Sequence, residues 1–197
     1  MRPINYFIIC LTIAIQSCNG QTPPKKEIYN KEFNWKITIP ENFENVNVQD
    51  WEKMQNKGKT AIEKTYGEEV INNAKTIFVF KSDQFNYFES NYQPYDRSKD
   101  GDYLESFKAV NEVLYNTFKT QMPGAKLDSL SSEETIDGLK FNMFKIVIDL
   151  PNKKTLDCTM FSRLFGKKEL TVSIMTLDKK KQSVLFDAWK NSKFGKQ

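Results

Sequence analysis

The order of strand-like and helix-like segments in this 197-residue chain predicts an α+β domain. An alternating apolar segment near residue 35 predicts a strand, and a helix-periodic stretch after residue 102 predicts a long helix. Three further alternating segments between residues 139 and 176 predict a meander of strands. Strands and helices that occur in separate runs are typical of the α+β class. No internal repeat or second linker interrupts the pattern, so we expect one domain over residues 29–197.

The first predicted strand is half-buried and is followed by helical segments. Its apolar residues alternate with polar ones until Pro40, and they are Phe33, Trp35, Ile37 and Ile39. Asp50 is a predicted N-cap for a helix that starts at Trp51 and is interrupted at Gly58. A second helical stretch, 60–66, ends at Gly67.

The next segments predict buried strands and the longest helix. Residues 76–80 are apolar on both faces, which favours a central strand covered on both sides. Residues 85–95 mix aromatic and polar side chains and predict one more strand. Asp102 and Glu105 resemble a capping box, and Pro123 with Gly124 ends the helix that they open. Its predicted buried stripe consists of Tyr103, Phe107, Val110, Leu114 and Phe118.

The C-terminal third predicts three strands and a closing helix. Asp137 and Gly138 form a hairpin signal before a strand over 139–150, whose apolar phase shifts near Met143. That shift indicates either a bulge or burial on both faces. Strands over 155–165 and 169–176 follow, and then a helix near 180–191. The basic run 179–181 before it is either a solvated loop or a contact with lipid head groups.

The N-terminus predicts an exported protein. Arg2, an apolar run from Tyr6 to Ile15 and the small residue Ser17 describe a secretory signal peptide. The apolar run is shorter than the roughly 20 residues that span a bilayer. Cys18 follows Ser17 directly, and this arrangement resembles a bacterial lipoprotein signal.

The lipoprotein resemblance implies a membrane anchor. Residues 1–17 would be removed, the Cys18 thiol would carry a diacylglycerol, and residues 18–28 would form a tether. Asn19 stands at the position where an Asp implies retention in the inner membrane, so the resemblance implies the outer membrane. Residues 15 and 16 are Ile and Gln, where the family has Leu and a small residue. The alternative is an ordinary signal peptide in which Cys18 is incidental.

Composition narrows the function classes. Removal of residues 1–17 takes away only Arg2 among the charged residues, which leaves 28 basic and 25 acidic side chains and a net charge of +3. This mild, dispersed charge does not indicate a nucleic-acid partner. The chain has no histidine, so histidine metal sites and Ser–His or Cys–His pairs are excluded. With Cys18 acylated, Cys158 has no disulfide partner, and its strand-like surroundings favour a buried structural thiol over a nucleophile.

The sequence also resembles the PsbP-like family. The resemblance lies in residues 35–43 (WKITIPENF), in the Asp137–Gly138 hairpin and in the ending Ser192 to Phe194. It implies an antiparallel β-sheet with helices on both faces, an α/β/α sandwich. Well-known members are accessory or binding proteins rather than catalysts. No functional residue carries over from the family.

Few side-chain patterns indicate a site. Asp96, Asp100 and Asp102 fit helix capping better than a cation loop. The aromatic segment contributes Tyr87, Tyr92 and Tyr95, which form either a possible binding surface or ordinary packing. We expect no catalytic residues, no metal site and no cofactor.

Three functional hypotheses follow from the sequence. The first is a lipid-anchored protein of the cell envelope with a non-catalytic domain that binds another envelope protein or supports an assembly. The second is a binder of a small amphipathic or lipid ligand between sheet and helix. The third is an enzyme that uses lysine, tyrosine and carboxylates.

Overall fold

The computed structural model describes residues 26–69 and 72–195. Within them, a seven-stranded antiparallel sheet has the order β3-β4-β5-β9-β8-β7-β6, and a three-stranded antiparallel sheet has the order β1-β2-β10. The strands are β1 Lys26–Asn30, β2 Trp35–Ile39, β3 Glu44–Asn45, β4 Lys75–Asp83, β5 Asn86–Pro94, β6 Lys126–Ile136, β7 Leu139–Asp149, β8 Thr155–Phe165, β9 Lys168–Thr176 and β10 Lys193–Phe194. The helices are α1 Val48–Tyr66, α2 Arg97–Asp100, α3 Tyr103–Gln121 and α4 Lys179–Lys190.

The large sheet is covered on both faces. On one face, the small sheet and α4 pack an aromatic core around Trp35 and Trp189, whose ring centroids lie 5.7 Å apart. On the other face, α3 places Phe107 over Phe144, Ile146 and Ile148 of β7. Helix α1 lies beside α3 on this second face. The predicted antiparallel α+β architecture with helices on both faces is therefore confirmed.

The N-terminal boundaries differ from the sequence prediction. Residues 26–28, assigned to the tether, form part of β1, which pairs with β2 from Lys26 opposite Ile39. The two predicted helical segments are one helix, α1, because Gly58 alone does not break it. Its N-cap is Asn47, whose side chain accepts a hydrogen bond from the Gln49 backbone N–H, and not Asp50.

Four features of the second half are decided by the structure rather than by the sequence. The long edge strand β6 was missed because its residues are polar and largely exposed, so they carry no apolar alternation. The shift near Met143 is burial on both faces rather than a bulge, since β7 keeps continuous register with both neighbours. In α3, Val110 is 45 % exposed and Asn111 is buried instead. The basic run 179–181 forms the first turn of α4, capped by the Asp178 side chain.

The anchor prediction lies outside the described residues, because Cys18 precedes residue 26. In the described part of the chain, no helix combines the length and the apolar character needed to cross a membrane.

Candidate functional site

A pocket of about 290 Å³ lies between the large sheet and the helices α1 and α3. Its walls are mostly apolar, with a few polar groups on the floor formed by the sheet. The residues that line it are Trp51, Met54, Gln55, Gly58, Tyr87, Glu89, Leu114, Phe118, Phe144, Cys158, Thr159, Met160, Ser173, Ile174 and Met175. A mostly apolar concavity with a few polar groups is typical of small-molecule sites.

Helices α1 and α3 cover the pocket, and short-range contacts fix where each helix begins. Asn47 caps α1, and one turn later Trp51 packs edge-on against Tyr87 of β5, with ring centroids 4.8 Å apart. Asp102 caps α3 through the backbone N–H groups of residues 104 and 105, as predicted. Leu114 and Phe118 then project from α3 to the same space as α1.

Gly58 lies in the wall that α1 contributes. A methyl group added at Gly58 would meet no other atom within 4 Å, so the helix leaves open space at this point. Every other residue type would place a side chain there. Gly58, predicted from the sequence to interrupt a helix, instead leaves open space in the wall of the pocket.

Glu89 is the carboxyl group of the pocket. It belongs to β5, whose neighbours in the sheet are β4 and β9, and its Oε1 accepts a hydrogen bond of 2.7 Å from Gln55 Nε2 of α1. Gln55 Nε2 also donates to Thr76 Oγ1 at 3.1 Å, which ties α1 to β4. Burial raises the pKa of the Glu89 carboxyl above its ordinary 4.5, and the side chains of Trp51, Gln55 and Asn91 offset part of that shift.

Two further titratable groups at the pocket are held protonated. Burial, with a smaller contribution from Asp157, raises the pKa of the Cys158 thiol to about 12. Burial also raises the pKa of the Tyr87 phenol, and the nearby Glu89 carboxylate adds to the effect. A thiol with a raised pKa is a poor nucleophile, because the thiolate is the reactive form. Cys158 is a free thiol in the structure and fits the predicted structural role.

Trp51 Nε1 is buried and makes no hydrogen bond of normal geometry among the described residues. The Glu89 carboxyl is its neighbouring acceptor, since the Trp51 side chain acts as a hydrogen-bond donor that lowers the pKa of Glu89. The Trp51 indole and the Gln55 amide therefore both face the Glu89 carboxyl.

The structure separates the three predicted tyrosines. Tyr87 faces α1 and lines the pocket. Tyr92 points to the opposite side of β5, where its ring lies 5.7 Å from that of Phe33. Tyr95 is only 6 % exposed and donates a hydrogen bond of 3.1 Å to the Gly101 carbonyl oxygen. Tyr87, Tyr92 and Tyr95 therefore do not form one surface. Alternation along β5 sends Tyr87 and Tyr92 to opposite faces, and Tyr95 follows the strand and is packed against the α2 segment.

The aspartates near α3 have structural roles. Asp96 caps α2 and Asp102 caps α3, while Asp100 accepts a hydrogen bond from the Asp96 backbone N–H. In the described ranges, no group of three cysteine, aspartate or glutamate side chains is arranged to hold a metal ion.

Sequence reasoning missed Glu89, Gln55 and Trp51 as a group. One signal was available: Glu89 is an ionisable residue inside a strand that continues a buried aromatic segment. What the sequence lacked was any indication that residues 34 positions apart would meet.

Comparisons with known proteins identify a fold and no family. No protein-family model matches the sequence, and no curated protein matches it. Among solved structures, the chain is similar to the solution structure of cyanobacterial PsbP (CyanoP) from Synechocystis sp. PCC 6803. The TM-score is 0.56 at 11% sequence identity, and the match covers 92% of this chain and 99% of that one. The fold is thus PsbP-like, as the sequence resemblance implied.

Proposed function

We propose that this is a lipid-anchored envelope protein whose PsbP-like domain binds a small amphipathic molecule without transforming it. The observation that carries the proposal is the pocket between the sheet and helices α1 and α3. At about 290 Å³ it lies just below the range of roughly 300–1,000 Å³ typical of ligand sites. This size suits a compact ligand or one short apolar chain better than a whole diacyl lipid.

The chemistry of the pocket supports binding rather than catalysis. Its lining combines methionine, leucine and phenylalanine side chains with one carboxyl group, so it offers both an apolar and a polar end. Acid–base or covalent catalysis uses groups whose pKa values are tuned toward the working pH. Cys158 and Tyr87 are shifted in the opposite direction, away from ionisation, and Glu89 is the carboxyl of the lining whose pKa is raised toward neutrality. A single carboxyl without an ionised nucleophile beside it supports binding better than catalysis.

A protein partner at the envelope receives less support from the structure. That hypothesis is based on the lipoprotein-like leader, the missing histidine and the fold resemblance. An exposed aromatic surface would support it, and Tyr92 and Tyr95 do not share a surface with Tyr87. The pocket therefore favours the ligand-binding hypothesis over the protein-binding one.

The proposal is tested by native mass spectrometry of the full-length protein released from its own membranes. We expect a co-purifying molecule of low mass in the wild type. Gly58→Leu should fill part of the pocket and displace that molecule, while the helix itself gains from losing a glycine. Asn56→Leu is the matched control, since Asn56 is exposed on the same helix and does not line the pocket.

The outcomes separate clearly. Loss of the bound molecule in Gly58→Leu with retention in Asn56→Leu supports the site. A molecule that persists in both variants places binding elsewhere, and a wild-type protein that is empty and takes up no amphipathic compound refutes the proposal.

A further inference from the structure

The pocket contains a carboxyl group and no basic side chain among the described residues that line it. Among the described residues that line it, Glu89 is the sole side chain with a formal charge, and no lysine or arginine joins it there. Gln55 supplies one neutral donor to Glu89 Oε1. Glu89 is half-buried, and a carboxylate that is partly withdrawn from water without a counter-ion is costly. Such a group either stays protonated or pairs with a cation.

Aromatic rings flank this carboxyl group. Trp51 and Tyr87 line the same pocket and contact each other, and Tyr87 stands two residues before Glu89 on the same face of β5. Tryptophan and tyrosine rings attract organic cations through the negative potential of their faces. A carboxylate beside two such rings is the usual composition of a site for an ammonium group.

The remainder of the pocket is suited to an apolar body. Leu114, Phe118, Phe144 and Met160 provide the wall on the side of α3 and the neighbouring strands. An anionic ligand such as a free fatty acid would place a second negative charge next to Glu89. Repulsion between the two charges is stronger inside the pocket than in water, so binding of such a ligand is unfavourable.

We propose that the ligand is an organic amine, whose ammonium group pairs with Glu89 beside Trp51 and Tyr87 and whose apolar part occupies the wall formed by α3. The inference rests on the proposed function, since it names the class of molecule that the same pocket takes. The positive charge of the ammonium group serves as the counter-ion of Glu89. Glu89 therefore selects an amine over neutral and acidic molecules of equal size.

The test uses the full-length protein in nanodiscs, labelled with 5-fluorotryptophan. The chain has three tryptophans, and Trp35 and Trp189 belong to the core on the opposite face of the sheet. Their fluorine signals are internal controls, and Trp51→Phe assigns the signal of the pocket. Three probes of equal chain length are titrated separately: hexylammonium, 1-hexanol and hexanoate.

We expect hexylammonium to shift the Trp51 signal at the lowest concentration and to leave the other two signals unchanged. In Glu89→Gln its apparent Kd should rise by about tenfold or more, as expected for loss of a charge-assisted contact. The Kd of 1-hexanol should change little in that variant. Glu44→Gln is the matched control, because Glu44 is an exposed residue of β3 and does not line the pocket.

Other results would overturn the inference in distinguishable ways. If hexanol or hexanoate binds as tightly as hexylammonium in the wild type, the pocket binds ligands but Glu89 does not select an amine. If none of the three probes shifts the Trp51 signal, both the inference and the ligand-binding function lose their basis. Even if Glu89→Gln does not fold, the affinities of the three probes for the wild type show whether the pocket selects an amine.

Discussion

At the scale of single residues, the helix-covered face of the sheet contains ionisable and amide groups where apolar side chains are usual. Glu89 is the clearest case, since burial raises its pKa while only Gln55 donates a hydrogen bond of normal geometry to it. Such a residue lowers stability in the folded state whenever it is ionised. A group that reduces stability at this depth fits a binding role better than a structural one.

This property of Glu89 predicts a pH-dependent gain from Glu89→Gln. Because the folded-state pKa of Glu89 is raised, the folded protein binds its proton more tightly than the unfolded chain does. The stabilisation from the protonated form is complete below pH 4.5 and is lost as pH rises through the folded-state pKa. Urea unfolding of the ligand-free protein should therefore show that the advantage of Glu89→Gln over wild type increases from pH 4.5 toward neutrality.

The control for this experiment is again Glu44→Gln, whose effect should not follow the same profile. An advantage of Glu89→Gln that is constant over the whole pH range would show that Glu89 titrates normally in the folded protein.

Asn111 of α3 makes a separate residue-scale prediction. The side chain is 5 % exposed, and its Oδ1 has no hydrogen-bond partner among the described residues. Replacing an unpaired buried acceptor by an apolar group of similar size removes a desolvation cost of about 1 kcal/mol or more. Asn111→Leu should raise the urea midpoint at an unchanged m-value.

A lower midpoint for Asn111→Leu would mean that the asparagine has a partner in solution. Val110→Leu is a suitable control, because Val110 is the exposed neighbour and the same kind of substitution should be nearly neutral there.

At the scale of elements, one buried side chain connects the β4–β5 turn to the start of α4. Asn86 Oδ1 accepts hydrogen bonds of 3.1 Å from the backbone N–H groups of Leu177 and Asp178. Its Nδ2 donates to both Asp83 carboxylate oxygens, at 2.8 and 2.9 Å. Lys181 of α4 also donates to Asp83, at 2.8 Å. These contacts fix where α4 begins and therefore how Leu185 and Trp189 enter the core.

Asn86→Ala should destabilise the fold by about 2 kcal/mol, since it leaves the backbone N–H groups of Leu177 and Asp178 without their acceptor and removes the amide donor of Asp83. The loss is measured by chemical denaturation, with the exposed Asn56→Ala of α1 as the control. A change below about 0.5 kcal/mol, the usual size for surface substitutions, would show that the connection does not stabilise the fold.

At the scale of the whole molecule, the two faces of the large sheet have different compositions. The face under the small sheet and α4 is a continuous aromatic core in which Trp35, Phe88 and Trp189 are fully buried. The face under α1 and α3 contains a smaller apolar cluster together with the pocket. One face therefore buries most of the aromatic side chains, and the other leaves space for a ligand.

The location of the molecule is tested at its N-terminus, which lies outside the described residues. If Cys18 is acylated, Cys18→Ala should abolish labelling with a radioactive or alkyne-tagged fatty acid. It should also shift the protein from the membrane to the soluble fraction, because at least two acyl chains are needed for stable anchoring. Ser17→Gly is a conservative control that keeps the small residue before the cysteine.

Unchanged membrane retention of Cys18→Ala would contradict the lipoprotein prediction. It would favour the ordinary signal peptide, with the folded domain held at the membrane by some other contact.

Much of the fold was predictable because it depends on local sequence. The Asp102 cap, the alternation in β2 and the hairpin at Asp137 are short-range patterns, and the structure confirms each of them. The edge strand β6 escaped prediction, since a strand exposed on both faces has no hydrophobic period. Val110 was predicted to be buried, but Asn111 is the buried residue. Helical spacing identifies a buried stripe, whereas the rotation of the helix about its axis depends on the sheet against which it packs.

The sequence by itself determined the α+β class, the boundaries of α3 and the absence of histidine side chains, while the export signal stays a prediction. The tertiary structure alone decided which face of β5 would meet α1, and thus that Gln55 and Trp51 would adjoin Glu89. Alternation assigns the residues of a strand to two faces but does not say which helices or strands cover each face. A pocket forms only where helices packed on a sheet leave a gap, and the width of that gap depends on contacts between residues far apart in the chain.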